Sequence, residues 1–273
     1  MIINNDGLTA DQIMRAVPSV FASEPHESRS SRYLYIPTGD ILAGLYKEGF
    51  VPTSVMQARS RREDRKAYTK HLIRLRTMND LGSNHPDVHE IVLVNSHDGS
   101  SSYQLMSGIF RMVCSNGSIV GNFDDTLKVL HKGNLLDNVI EGTVRIVEGS
   151  AKVMGIVEEM KDIPLSQDEK MLLSEYVMKA RFEGDNEDEQ PKAVVPYQPQ
   201  DFLQVRHRED RGHSDLYTTF QVMQENHIRG GVSRRDNKGQ KHTTREVKSI
   251  DTNVKVNRLL WQFAEKMREL KSS

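Results

Sequence analysis

The spacing of apolar and polar positions changes character along the chain. Between His89 and Val120 apolar residues come in short blocks separated by turn chemistry. Glu90–Asn95 reads as a strand, and Ser96-His97-Asp98-Gly99-Ser100 as a turn in which Gly99 supplies the unusual φ. Tyr103–Cys114 reads as a second strand, bulged at Ser107-Gly108, and Asn116-Gly117 as a tight turn into Ser118-Ile119-Val120. Together these predict an antiparallel β-meander. Upstream, Thr9 caps a short helix that Pro18 ends, Tyr33–Ile36 has strand character, and Pro37-Thr38-Gly39-Asp40 opens a helix to about Lys47, closed by Gly49. Thr69–Arg76 alternates only loosely and is read as a strand.

Downstream the period becomes helical. Val139, Val144, Val147, Val153, Ile156, Val157 and Met160 repeat at helical spacing between Asn138 and Met160, interrupted by Gly142, Gly149 and Gly155. After Pro164, Ser166 and Glu169 form a capping box for a helix to about Phe182. Helices are also expected over Asp215–Arg229, ended by Gly230-Gly231, and over about Arg245–Leu270. Ser233–Arg245 reads as a basic loop or hairpin. The fold class is therefore α+β: an antiparallel meander in the N-terminal half packed by helices, with a mainly helical C-terminal half. The expected organisation is a core over 1–183, an acidic and Pro-bearing linker or surface loop over 184–197, and a helical part over 198–273 packed on the same core.

Composition narrows the function classes. With 273 residues the chain can bury a core without a disulfide or metal staple. Its hydrophobic fraction, 37%, is low enough to imply long polar loops around a globular body. A single cysteine, Cys114, excludes an intramolecular disulfide; in its apolar setting it reads as a buried thiol. No stretch is apolar enough to span a bilayer and no signal peptide is evident, which points to a soluble, cytoplasmic protein with no membrane partner. There is no Walker loop and no dinucleotide fingerprint, so no cofactor is expected.

The net charge of −1 hides local segregation. Eight Lys or Arg fall between Arg59 and Arg76 (59, 61, 62, 65, 66, 70, 74, 76), against Glu63 and Asp64. A second cluster comprises Arg229, Arg234, Arg235, Lys238, Lys241, His242 and Arg245, and 183–189 is acidic. Clustered cations displace the counterions condensed on a phosphate backbone, so this distribution favours a polyanion partner more than the total does. The candidate nucleic-acid contacts are Arg59, Arg61, Arg62, Arg65, Lys66, Lys70, His71, Arg74, Arg111, His131, Lys132, Arg234, Arg235, Lys238, Lys241 and Arg245. Each basic run also has a plain reading as a solvated surface. Arg111 is read more readily as a buried partner of a carboxylate, and the polar stripe Gln221, Gln224, Glu225 and Asn226 as hydrogen-bonded to neighbouring backbone. Neither a catalytic residue nor a metal site is assigned, since His97 and Asp98 fall in what reads as an ordinary Asp-Gly-Ser turn.

Several blocks resemble one family. They include Tyr35-Ile36-Pro37-Thr38, Gly49-Phe50-Val51-Pro52, Thr69-Lys70-His71-Leu72-Ile73-Arg74-Leu75, Leu93 to Tyr103, Phe110 to Gly117, His131-Lys132-Gly133, Leu216 to Asn226, Arg229-Gly230-Gly231 and Asn257-Arg258-Leu259-Leu260-Trp261. In these the chain is similar to the YfjQ/YafZ-type proteins of phages, plasmids and prophages, a domain of unknown function. The resemblance implies a setting in mobile DNA and brings no catalytic residues with it.

The leading expectation is a non-enzymatic nucleic-acid-binding accessory protein of a mobile element, favouring single-stranded DNA and acting in recombination or annealing. In that reading it assembles as a homo-oligomer. Two alternatives stay open: a factor that binds a host defence protein, with 183–189 as its contact, and a metal-dependent nuclease using His97 and Asp98.

Overall fold

In a computed structural model the chain is described over residues 1–28, 35, 37–83, 85–121, 127–129, 135–182 and 196–272. The class is the expected α+β. The described residues form two compact units, the first comprising Met1–Met112 and Ile119–Lys152 and the second Val113–Ser118 and Val153–Ser273. The boundary near Lys152 lies upstream of the expected linker, most of which falls outside the described residues, as do most of Tyr33–Ile36 and the acidic 183–189.

The N-terminal unit opens with β1 (Ile2–Ile3), α1 (Ala10–Ala16) and a 3₁₀ turn over Pro18–Phe21, followed by α2 (Thr38–Lys47). Thr9 caps α1 through a capping box with Gln12. Then come β2 (Phe50–Gln57), β3 (His71–Thr77), β4 (Asp87–Asn95), β5 (Tyr103–Arg111), β6 (Asn116–Val120), β7 (Leu127–Val129) and α3 (Leu135–Glu148). The sheet order is β1-β2-β3-β4-β5-β6, with β7 also pairing β5.

Two local expectations are corrected, and one strand is added. The β4–β5 register runs unbroken from Asp87↔Arg111 to Val94↔Gln104, so Ser107-Gly108 carries no bulge against β4. The irregularity lies instead between Pro52 and Ser54 in β2, where a proline with no N–H to donate is accommodated. β2 itself escapes the hydrophobic pattern, because it is buried along nearly its whole length and contains that proline. The turn into β6 falls before Asn116, at Ser115 with φ of 47°, and Asn116 and Gly117 already belong to the strand.

One face of the sheet carries Val55, Ile73, Leu75, Ile91, Leu93, Tyr103 and Leu105, packed with Ile13, Val17, Val20, Ile41, Leu45 and Val139 of the covering helices. The alternate residues of β3, Leu72, Arg74 and Arg76, point to the opposite face and are buried as well. A strand buried on both faces loses the period of two, which is why Thr69–Arg76 alternates so loosely.

The helical run after Val139 breaks at Gly149 into α3 and α4 (Ser150–Lys161). The second unit continues with α5 (Gln167–Phe182), 3₁₀ turns over Pro199–Leu203 and Arg208–Asp210, α6 (Leu216–Arg229), a hairpin of β8 (Ser233–Arg235) and β9 (Lys241–Thr243), and α7 (Ile250–Lys271). Ser166 and Glu169 cap α5 reciprocally, at 2.7 and 3.3 Å. Helix α6 is its axis: every residue from Leu216 to Ile228 is buried. Phe220 meets Trp261 of α7 edge-on at 5.7 Å. Helix α7 begins later than expected, because Ser249 is its cap and Val247 is tied in extended form to the Ile228 carbonyl at 2.8 Å. No helix among the described residues is long and apolar enough to cross a membrane.

Candidate nucleic-acid interface

The basic stretch 59–76 is split by the fold. Its second half enters β3, and its side chains leave solvent. His71 is fully buried; its Nε2 lies 3.0 Å from the Thr38 hydroxyl and its Nδ1 3.0 Å from Ser19 Oγ. Thr38 also meets His97 Nε2 at 3.1 Å, Tyr103 Oη at 3.2 Å and Asn95 Nδ2 at 3.1 Å. Burial, reinforced by the neighbouring His97, lowers the His71 pKa to about 3 against the opposing pull of the Thr69 carbonyl and Asp98, so the ring is neutral. On the other face Glu90, fully buried, accepts from Arg74 Nη1 at 3.1 Å and Arg76 Nε at 2.8 Å. The Arg76 guanidinium sits 4.0 Å over the Phe110 ring. Arg111 is buried opposite Asp87 in the β4–β5 register. His71, Arg74 and Arg111 are therefore core residues, and a strand of nucleic acid cannot reach them in this structure.

The first half of the stretch is a loop closed by a 3₁₀ turn over Glu63–Tyr68. Arg59, Arg61, Arg62 and Lys66 are exposed, while Arg65 and Lys70 are half-buried. Arg62 pairs with Asp64 at 2.7 Å and Lys66 with Glu63. Arg59 and Arg61 make no ion pair among the described residues. This loop is anchored to the polar core: the His97 N–H donates to the Tyr68 carbonyl at 2.9 Å.

In the second unit the basic hairpin is sorted by direction. Arg234 reaches inward, its Nη1 donating to both carboxylate oxygens of Asp201 at 3.0 and 3.1 Å, and His242 pairs with Asp236 at 2.9 Å. Arg235, Lys238, Lys241, Arg245 and Lys248 are exposed. None of these five makes an ion pair among the described residues. Arg245 and Lys248 line a cavity of about 410 Å³ with Arg181, Phe182, Tyr197 and Thr252. Sequence reasoning missed Arg181, Tyr197 and Lys248. Lys248 could have been found by extending the cluster three residues, but nothing local in the sequence marks the other two.

The polar stripe of α6 is hydrogen-bonded internally, but to side chains and to backbone distant in sequence instead of the expected neighbouring backbone. Gln224 bonds Asn257 at 2.9 Å, the Gly117 carbonyl at 3.2 Å and Asn116. Asn226 donates to the carbonyls of Phe202 and Gln204 at 2.7 and 2.9 Å. His97 is buried against Thr38, and Asp98 accepts from the Ser100 N–H at 2.9 Å. Burial would raise the Asp98 pKa, but hydrogen bonds from Ser100 and Ser96 and the charge of Arg65 outweigh it and hold the carboxyl below its usual range. His26, Glu27 and Asp64 bring possible ligand atoms within 4.8 Å of one another, but Arg62 occupies the Asp64 carboxylate. Cys114 is buried. His131 and Lys132 lie outside the described residues.

The family comparison covers most of this α+β chain. Residues 25–261 match the family described as "Domain of unknown function (DUF932)", and the chain belongs to that family. It is similar to two proteins of Escherichia coli (strain K12), UPF0380 protein YafZ and UPF0380 protein YfjQ. Each is 42% identical over 258 residues, covering 94% of this chain and 90% of theirs. No solved structure matches.

Proposed function

We propose that the protein binds nucleic acid, single-stranded DNA in preference to duplex, without catalysing a reaction on it. The β8–β9 hairpin and the residues leading into α7 form the principal phosphate-holding surface, and the Arg59–Lys66 loop forms another. One observation carries this reading: in the hairpin segment Arg234 pairs with Asp201 and His242 with Asp236 of the hairpin itself, while Arg235, Lys238, Lys241, Arg245 and Lys248 are exposed without ion pairs among the described residues. Cations left unneutralised within fourteen residues are what counterion release requires. The finer role is accessory to recombination in a mobile element, with annealing by a homo-oligomer as its most specific form.

The test is fluorescence-anisotropy binding of a labelled oligothymidylate and a duplex over about 50 to 200 mM salt. The expected result is affinity for the single strand that falls steeply with salt and drops further in Lys238→Glu/Lys241→Glu. If the folded protein binds neither at low salt, the reading is wrong and a protein partner, such as a host defence factor, becomes the target.

A further inference from the structure

We propose that the cavity at the start of α7 seats one nucleotide unit of the bound strand, its phosphate held by Arg181, Arg245 and Lys248 and its base stacked against Tyr197. This rests on the nucleic-acid reading above and adds a defined subsite to it.

The volume, about 410 Å³, lies within the range of small-ligand cavities. Among the described residues its charge is cationic: three basic side chains line it against one carboxylate, Glu246. One of them is incompletely satisfied. Arg181 Nη2 donates to the Arg245 carbonyl at 3.1 Å, while its Nη1 is buried and has no acceptor among the described residues. An unsatisfied buried guanidinium N–H is costly; Nη1 is closed to solvent, so Arg181 contributes its positive charge to a phosphate in the cavity and not a bond from that atom. Burial lowers the Arg181 pKa to about 10 against the opposing effect of Tyr197, so the group is still charged at neutral pH and partly desolvated. Hydroxyls of Thr243, Ser249 and Thr252 at the rim supply neutral donors.

The wall opposite in character is aromatic. Tyr197 and Phe182 line the cavity and stack on each other at 5.9 Å, 29° apart. Behind them Phe202 packs 6.0 Å from Phe182 and 6.1 Å from Tyr197, with the buried His227 ring parallel to it at 4.1 Å. A rigid aromatic backing fixes the outer rings, and such a platform accepts any base because every base has a π-face. A simple anion site would need no such wall, and an acidic peptide would not use it. The cationic strip from Lys241 through Arg245 to Lys248 leads from the hairpin to the cavity, so a strand tracked by one is delivered to the other.

Binding of thymidine monophosphate, thymidine and inorganic phosphate to the full chain is measured by calorimetry, and that of an oligothymidylate by anisotropy. The variants are Arg245→Gln/Lys248→Gln, whose side chains are exposed and support no core, and Tyr197→Ala, with melting temperature as the folding check. The proposal expects the monophosphate to bind at least tenfold more tightly than thymidine or phosphate alone. It expects the double variant to lower the oligonucleotide's salt slope by up to about 0.7, the value for one phosphate of a single strand, and Tyr197→Ala to weaken the oligonucleotide about tenfold. Oligonucleotide binding that is unchanged in both variants, with no monophosphate bound, overturns the subsite and leaves the nucleic-acid reading standing. Failure of the wild-type protein to bind oligonucleotide at all overturns both.

Discussion

Nε2 of His71 lies 3.0 Å from the hydroxyl of Thr38, thirty-three residues away in the chain, and neither side chain reaches solvent. That hydroxyl has one proton and two lone pairs, yet four side chains converge on it. Removing it should leave several buried polar groups without partners, each worth about 1–3 kcal/mol. Thr38→Val should therefore destabilise by about 3 kcal/mol or more, and Thr38→Ser by much less. Urea denaturation separates the two, and equal losses would show that the methyl group, not the hydroxyl, matters.

Acid should destabilise the fold through its buried histidines. Burial lowers the pKa of His71 to about 3 and that of His89 to about 4, and it holds His227 well below the ordinary value of 6.5. Each unfolded imidazole takes up a proton near pH 6.5 that the folded one refuses until its lower pKa is reached. Their stabilisation is thus complete above about pH 6.5 and lost as pH falls below it. At pH 5 each group should cost about 2 kcal/mol relative to pH 7. His227, stacked on Phe202 with both ring nitrogens unpartnered among the described residues and Arg181 nearby, gives the clean control. His227→Phe should raise the melting temperature at pH 5 more than at pH 7, and an equal change at both would refute the protonation argument.

Glu90, fully buried, is a shared counter-charge to two buried guanidinium groups, Arg74 and Arg76. Glu90→Gln keeps the shape and removes the charge, and the loss should be about 3–5 kcal/mol, as for breaking any buried ion pair from one side. A loss below about 1 kcal/mol would mean that water or other carboxylates compensate the arginines. Exposed pairs such as Arg145–Glu141 should contrast with it, since surface ion pairs contribute about 0–1 kcal/mol.

Gly230 ends α6 with φ of +71°, and a Cβ there would lie 2.5 Å from the Arg245 carbonyl carbon and 2.7 Å from two carbonyl oxygens. Both the conformation and the clash oppose a side chain. Gly230→Ala should cost about 2 kcal/mol or more and loosen the hairpin. Faster amide exchange at Gly231, whose N–H donates to the Thr244 carbonyl at 2.8 Å, and at Thr244, whose N–H donates to the Val232 carbonyl at 2.8 Å, is the readout.

The two halves of the basic stretch should answer mutation in opposite ways. Arg59→Ser/Arg61→Ser should leave the melting temperature unchanged and lower the salt slope of oligonucleotide binding by up to about 2. Arg74→Ala should lower the melting temperature, because it opens the buried cluster around Glu90. A binding defect at full stability in Arg74→Ala would return that residue to the interface.

Much of the secondary structure was written locally. Thr9, Ser166 and Asp215 at helix starts, Gly49 and Gly230 at helix ends, and the block pattern around β4 and β5 each act through neighbours a few residues away, so they survive in a one-dimensional reading. Charge segregation was equally legible, because clustering in sequence is already clustering in space within a hairpin. What the sequence could not show was direction. His71 and Arg74 of β3 and Arg111 of β5 are buried in the sheet, and whether Arg74 or Arg76 meets water or Glu90 depends on a partner fourteen or more residues away. Strand β2 was hidden for the same reason, since its burial comes from neighbouring strands rather than from its own alternation. Arg181 and Tyr197 join Lys248 only where α5, the segment before Pro199 and the start of α7 converge, a placement made by long-range packing.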